Sequence, residues 1–251
     1  MLNTAVIIPT RLHSQRLPHK PLQTIGEYSL IEHVVLNVYK KIQCNVYLAT
    51  DSESIADAVA KHSVPVIITP ELPSGTDRVH HAIQQIDPQR NIQYVVNLQG
   101  DMPFIEPDLI NQMLHQLHQT ECDILTLARK GECVMQKQQF VKIISDAYNR
   151  ALYFSRNDIP YGAQQFLYHT GIYGFTRSAL ERFVALPPSN LETIENLEQL
   201  RAIEHGMHVS LMHHYQEVIS VDTQEDLENA REFWRKTQQS SPATNLAHSN
   251  V

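Results

Sequence analysis

Four short apolar runs punctuate the first half of the chain, and each is followed by apolar residues at helical spacing. Residues 5–9 precede Leu30, Val34, Val35 and Val38, and residues 45–50 precede Ile55, Ala56, Val59 and Ala60. Residues 65–69 precede Val79, Ala82, Ile83 and Ile86, and residues 94–98 precede Ile110, Met113, Leu114 and Leu117. The runs are continuous rather than alternating, so strands made from them have both faces covered. Strand and helix in regular succession predict an α/β fold: a mostly parallel sheet with helices on both faces.

The second half reads differently. Strands are predicted at 123–128, 140–145, 150–155 and 168–175 with few helices between them. Helices follow at 178–185 and 193–205, then strands at 208–213 and 217–221, and a last helix at about 224–236. No internal repeat and no linker divides the chain. At 251 residues and 42% hydrophobic content it can bury a core without staples. One domain over 1–237 is the expectation, with the small, polar segment 238–251 a disordered tail.

Open parallel sheets bind ligands beyond the carboxyl ends of their strands. That rule directs attention to loops 10–22, 50–54, 70–78 and 99–106. The first is unusual in its charge. The chain carries a net charge of -7, yet its first acidic residue is Glu27, and Arg11, Arg16 and Lys20 all precede it. Guanidinium forks suit phosphate oxygens and a lysine adds a mobile point charge, while Pro18 and Pro21 stiffen the loop. A local basic cluster in an acidic chain suits a small anionic ligand and argues against nucleic-acid binding. Neither GxxxxGK[ST] nor GxGxxG occurs, so a phosphate site here is of another kind.

The other loops add different chemistry. "PSGTDR" (73–78) has a tight turn at Ser74–Gly75 and an N-cap at Thr76; such a loop presents backbone groups to a flat base edge, and it reads equally well as an ordinary helix start. "VVNLQGDMP" (95–103) puts Gln99, Gly100 and Asp101 at a strand tip, where a lone carboxylate facing a phosphate loop is a natural Mg²⁺ ligand. "ISVDTQEDLENA" (219–230) repeats that logic with Asp222. Thr223 and Asp226 form a capping-box-like start that does not itself account for Asp222. Spacing does not show whether Asp101 and Asp222 meet.

Cys44, Cys122 and Cys133 are odd in number, far apart and free of metal-binding spacing, which suits free thiols in a reducing compartment. The apolar run at residues 5–8 is too short for a signal peptide, and no stretch is long enough for a membrane span. A cytoplasmic protein without membrane association is expected.

Eight blocks in order then resemble the 3-deoxy-manno-octulosonate (Kdo) cytidylyltransferases, the CMP-Kdo synthetases, over roughly residues 4–234. They are "IPTRLHSQRLPHKPL" (8–22), "ATDSE" (49–53), "SGTDR" (74–78), "NLQGDMP" (97–103), "ALYFSR" (151–156), "HTGIYGF" (169–175), "LEQLRAIEHG" (197–206) and "VDTQEDL" (221–227). The resemblance implies a Rossmann-like nucleotide-diphospho-sugar transferase fold with a mixed, mostly parallel sheet. It implies a homodimer that binds CTP and Mg²⁺ and transfers CMP to the 2-hydroxyl of Kdo, with release of pyrophosphate, for lipopolysaccharide biosynthesis.

By the same resemblance Arg11, Arg16 and Lys20 are catalytic. Ser74, Gly75 and Arg78 hold the nucleotide, and Asp101 and Asp222 hold the metal. Gln99, Arg156, His169, Tyr173, Glu198 and Gln199 line the sugar site, Arg156 facing the Kdo carboxylate. The sequence departs from the family's pattern at His19, where a glycine is usual, at Met102, where a glutamate is frequent, and in a short segment 157–168. Two alternatives stay open: another acidic sugar, such as an 8-amino Kdo or sialic acid, and a non-catalytic nucleotide-binding protein of the same fold.

Overall fold

The computed structural model describes residues 3–132 and 140–240. Its first half contains β1 (Thr4–Thr10), a hairpin of β2 (Thr24–Ile25) and β3 (Tyr28–Ser29), α1 (Leu30–Val38), β4 (Asn45–Thr50), α2 (Glu53–Ala60), β5 (Val66–Ile68), α3 (Gly75–Ile86), β6 (Tyr94–Asn97) and α4 (Pro107–Leu117). The second half contains β7 (Ile124–Glu132), β8 (Lys142–Ser145), β9 (Ala151–Ser155), β10 (Gln165–Thr176), α5 (Arg177–Ala185), α6 (Asn190–Glu195), α7 (Gln199–Glu204), β11 (Val209–His214) and α8 (Gln224–Ser240).

One sheet of nine strands organises all of this, in the order β11-β7-β10-β6-β1-β4-β5, with β8 and β9 extending from β10. The strands β6, β1, β4 and β5 run parallel. Beyond β6, strand β10 is antiparallel to both β6 and β7, and β11 is parallel to β7. Every residue of β1 is buried, as its continuous apolar run requires. Alternate residues feed two cores. Val6 and Ile8 pack with Val34, Ile55 and Ile110 on the face covered by α1, α2 and α4. Ala5 and Ile7 pack with Ile83, Leu180 and Leu200 on the face covered by α3, α5 and α7.

Sequence expectation and structure differ in three places. The helix expected over 193–205 is two helices, because Asn196 adopts φ 53, a left-handed conformation that ends α6 before α7 begins. The strand expected at 217–221 does not form. Its apolar residues are used otherwise: Val221 joins a third cluster with Leu17, Ile25, Leu30 and Leu227, and its N–H donates to Asp101 O at 2.9 Å. Residues 238–240, expected in the tail, continue α8. Residues 241–251 and Cys133 lie outside the described residues. Cys44 and Cys122 are free thiols, and burial pushes each up to about 11, so neither is a ready nucleophile.

The third cluster matters because it carries the basic loop. Trp234 of α8 closes over the β2–β3 turn, where Gly26 has φ 61. A Cβ on Gly26 would sit 2.1 Å from the indole Nε1 of Trp234. Gly26→Ala is therefore expected to cost about 1–3 kcal/mol of stability, through overpacking added to left-handed strain. Urea unfolding measures it, and an unchanged midpoint would mean that α8 does not clamp the turn.

Candidate active site

The loops after β1, β4, β5 and β6 all lie at the carboxyl end of the parallel strands. A glycine lets two of them lie against each other. A Cβ on Gly100 would stand 3.1 Å from Pro9 O and 3.3 Å from Thr10 Cβ, so only glycine lets the β6 loop lie this close to the end of β1. The adjacent Asp101 carbonyl receives the Val221 N–H, which brings Asp222 alongside.

Between the two aspartates lies Lys20. Its Nζ donates to Asp101 Oδ2 and to Asp222 Oδ1, each at 2.9 Å. Arg16 Nη2 approaches Asp222 Oδ2 at 3.0 Å. Burial works against the ammonium, but the Asp101 and Asp222 carboxylates outweigh it and hold the Lys20 pKa above its ordinary value. The Asp222 carboxyl is also opposed by burial, and the Lys20 and Arg16 charges hold it below the usual carboxylate range. Asp222 does not cap α8. Thr223 and Asp226 do so reciprocally, Thr223 Oγ1 accepting from Asp226 N at 3.2 Å and the Asp226 carboxylate accepting from Thr223 N at 2.9 Å. Asp101 Oδ1 is buried without a partner.

A polar cleft of about 690 Å³ opens above these charges. It brings together Arg11, Arg16, Lys20, Ser74, Gly75, Arg78, Gln99, Asp101, Arg156 and Asp222. Lys20 is aimed by a turn whose first residue, His19, has φ 50 and ψ 36. That left-handed conformation is one glycine adopts freely and histidine tolerates. The His19 side chain is exposed and does not line the cleft, and Met102 is buried in the core. Arg78 is 2% exposed, and its guanidinium is engaged with Asp51 Oδ2 at 2.5 Å and with Thr69 Oγ1. It ties the β4 and β5 loops into the wall of the cleft.

His169, Tyr173, Glu198 and Gln199 do not line this cleft; they form a polar cluster on the α3–α7 face of the sheet. Tyr173 pairs across the sheet with Asn97, and its hydroxyl donates to Gln199 Oε1 at 3.3 Å. The Thr126 hydroxyl donates to Ile172 O at 2.8 Å and so accepts from His169 Nε2 at 2.9 Å. Burial pushes His169 down to about 3, leaving a neutral ring. Burial also raises the Glu198 carboxyl, despite its hydrogen bond from Thr76. The cleft and this cluster meet at Ser74, a cleft residue whose Oγ is 3.4 Å from Glu198 Oε1.

Reading by sequence missed Asp51, Asn97, Thr126 and Asn196, and the N-cap expected at Thr76 is instead Ser74, whose Oγ accepts from Asp77 N at 3.1 Å. Asp51 and Asn97 stand inside the quoted blocks "ATDSE" and "NLQGDMP". Their side chains carried no separate signal, because each acts by contacting a residue far away in the chain.

The cytidylyltransferase family model matches residues 5–236. A 3-deoxy-manno-octulosonate cytidylyltransferase of Rickettsia bellii (strain OSU 85-389) is 46% identical over 237 residues, covering 94% of this chain and 97% of that protein. The chain belongs to the CMP-Kdo synthetase family. The protein of the same name from Rickettsia rickettsii (strain Sheila Smith) is 46% identical over 232 residues, 92% of this chain and 96% of that one. Among solved structures, CMP:2-keto-3-deoxy-manno-octonic acid synthetase complexed with CTP superposes with a TM-score of 0.85 at 31% identity, over 93% of this chain and 99% of that one. A structure of an rv0371c homologue from Mycobacterium sp. strain JC1 shares the fold alone, with a TM-score of 0.62 at 14% identity.

The neutral His169 makes a prediction. Its folded pKa lies near 3, below an ordinary value of 6.5, so the unfolded state binds its proton first as the solution is acidified. Stability from this group is present above about pH 6.5 and is lost as pH falls toward 3. Imidazole ¹⁵N spectra are expected to show the Nε2–H tautomer unchanged from pH 8 to pH 5. A midpoint near 6 would mean that the ring faces solvent.

Proposed function

We propose that CTP lies along the cleft with its triphosphate over Arg11, Arg16 and Lys20 and its base against Ser74, Gly75 and Arg78. The sugar acid lies beyond Gln99, toward Arg156, His169, Tyr173, Glu198 and Gln199. The reaction is cytidylyl transfer from CTP to Kdo, giving CMP-Kdo, the activated sugar of lipopolysaccharide biosynthesis, and pyrophosphate. The 2-hydroxyl oxygen of Kdo bonds to the α-phosphorus, and the bond from that phosphorus to the β-phosphate oxygen breaks. Catalysis of such a step rests on positioning and charge stabilisation.

One observation carries this reading: an ammonium held by two carboxylates from distant segments, at the floor of a cationic cleft. The same carboxylates fit a magnesium ion. Asp101 has a buried oxygen without a partner, and among the described residues no cluster of three or more His, Cys, Asp or Glu side chains offers a full protein cage. Mg²⁺ takes one or two carboxylates and completes its shell with phosphate oxygens and water. Asp101 and Asp222 would hold it. When bound it supplies positive charge at the phosphates and lowers the pKa of the attacking hydroxyl.

The chain's own residues do the rest. Arg11 and Arg16 grip phosphate oxygens. Lys20 stands where charge builds on the α-phosphate and the leaving pyrophosphate. Arg156 offers a guanidinium to the sugar carboxylate. Family resemblance further supports a homodimer working in the cytoplasm. No helix among the described residues is long and apolar enough to cross a membrane.

The test is pyrophosphate release from CTP and Mg²⁺ with and without Kdo. Release that depends on Kdo is expected, and CTP binding without turnover on Kdo, 8-amino Kdo or sialic acid would favour a non-catalytic binder. Asp101→Ala and Asp222→Ala are each expected to leave less than about a tenth of the wild-type rate with the fold intact. An Asp222→Ala enzyme that is merely less heat-stable would remove it from the metal site. Lys20→Ala should lower kcat about tenfold or more while raising the KM for CTP less, because its charge is matched to the transition state. An unaltered kcat would make the loop a surface feature.

A further inference from the structure

Arg156 lines the cleft from just past the end of β9, and its own backbone is gripped on both sides. Lys142 Nζ donates to Arg156 O at 2.8 Å, and Arg156 N donates to Glu195 Oε2 at 3.4 Å. Lys142 stands on β8, opposite Ser155 in the antiparallel register, and is 4% exposed. Its Nζ also meets Asp158 Oδ1 at 3.2 Å. Glu195 is the last residue of α6. Tyr153 and Ser155 are two apart on β9 and so share a face. Both reach Glu195 Oε1, Ser155 Oγ donating at 2.9 Å and the Tyr153 hydroxyl at 3.3 Å. Ser155 Oγ in turn accepts from Asn157 N at 3.0 Å, so the residues on either side of Arg156 belong to the same network.

Local structure asks for neither charged group. A carboxylate in the last turn of a helix faces the helix's own carbonyl ends and gains nothing from them. A lysine buried in a sheet is costly unless its ammonium is hydrogen-bonded, and an apolar side chain would fill the place at less cost. Neither Lys142 nor Glu195 lines the cleft. What they share is the backbone of residue 156. We propose that Lys142 and Glu195 are positioning residues for the acceptor sugar: they fix the Arg156 backbone, and with it the direction from which the guanidinium meets the sugar carboxylate. The proposal rests on the reading that Arg156 takes that carboxylate. A guanidinium–carboxylate pair is directional, so a displaced backbone weakens it. Arg11, Arg16, Lys20, Ser74 and Gly75 belong to other segments of the chain, so the CTP end is left as it was.

Glu195→Ala removes the acceptor shared by Tyr153, Ser155 and Arg156. It is expected to raise the KM for Kdo about tenfold, with the KM for CTP within about twofold. Glu195→Gln keeps one acceptor oxygen for Ser155 and Tyr153, and its KM for Kdo is expected to return to within about threefold of wild type. Lys142→Met keeps the stem and removes the donor to Arg156 O, and the same split between Kdo and CTP is expected of it. Glu195 is partly exposed, so its variants do not depend on how well the Lys142 variant folds. The decisive measurement pairs Glu195→Ala with Arg156→Ala. Without a guanidinium there is nothing to aim, so the double variant is expected to have a KM for Kdo within about twofold of Arg156→Ala alone.

A folded Glu195→Ala enzyme whose KM for Kdo is unchanged, or whose two KM values rise together, overturns the proposal. So does a further loss of about tenfold when Glu195→Ala is added to Arg156→Ala, which would make Glu195 a general support of β9. In both cases an active wild type leaves cytidylyl transfer to Kdo standing. An Arg156→Ala enzyme with an unaltered KM for Kdo removes Arg156 from the sugar site and overturns the proposal with it. A wild type that makes no CMP-Kdo overturns the functional reading itself.

Discussion

The contact between Lys20 and the two aspartates is the constraint on which the rest of the site depends. Its members come from the loop after β1, the loop after β6 and the segment before α8. Three charges this close to one another and largely withdrawn from water must be arranged well, because a partly buried charge without its partner is costly. The surrounding fold meets that demand with backbone. Gly100 lets two loops touch, the Asp101 carbonyl binds the Val221 N–H, and Thr223 and Asp226 cap α8 between them so that the Asp222 carboxylate is left to Lys20 and Arg16.

That arrangement explains the charge asymmetry of the chain. An acidic protein repels a triphosphate at long range, and the cleft overcomes this locally by excluding carboxylates from the first loop and concentrating cations there. The two acidic groups it does contain are neutralised by Lys20 and Arg16 within hydrogen-bond distance. The end of the cleft that we propose takes the phosphates is thus built from full charges. The cluster on the α3–α7 face, which we propose receives the sugar, relies more on uncharged groups, with His169 neutral and Thr76, Asn97 and Gln199 buried. Full charges suit a ligand recognised by its net charge, and directed hydrogen bonds suit one recognised by the pattern of its hydroxyls.

Much of the fold was legible because it depends on local periodicity. The strand runs at 45–50 and 94–98 and the helical spacing of Val79 to Ile86 read directly as β4, β6 and α3. The failures came where tertiary context overrode pattern. Val218, Ile219 and Val221 form an apolar run fit for a strand, but Ile219 and Val221 pack under α8 and Val218 against the first core, while the Val221 N–H is taken by the Asp101 carbonyl. The break at Asn196 left no periodic trace, since one left-handed residue ends a helix without changing the apolar spacing around it.

The sequence by itself determined the alternation that makes a parallel sheet, the end of the sheet where the cleft opens, and the residue types gathered there. Those are consequences of short-range order: which residues are apolar, how far apart they lie, and which loop follows which strand. Only the tertiary structure decided that Asp101 and Asp222 share one lysine, that Arg78 is spent on Asp51 and the wall, and that Thr76 meets Asn97. These partners lie between 21 and 202 residues apart in the chain. Their meeting is set by strand order and by two close backbone approaches, at Gly100 and at Asp101, and no local spacing in the chain encodes either.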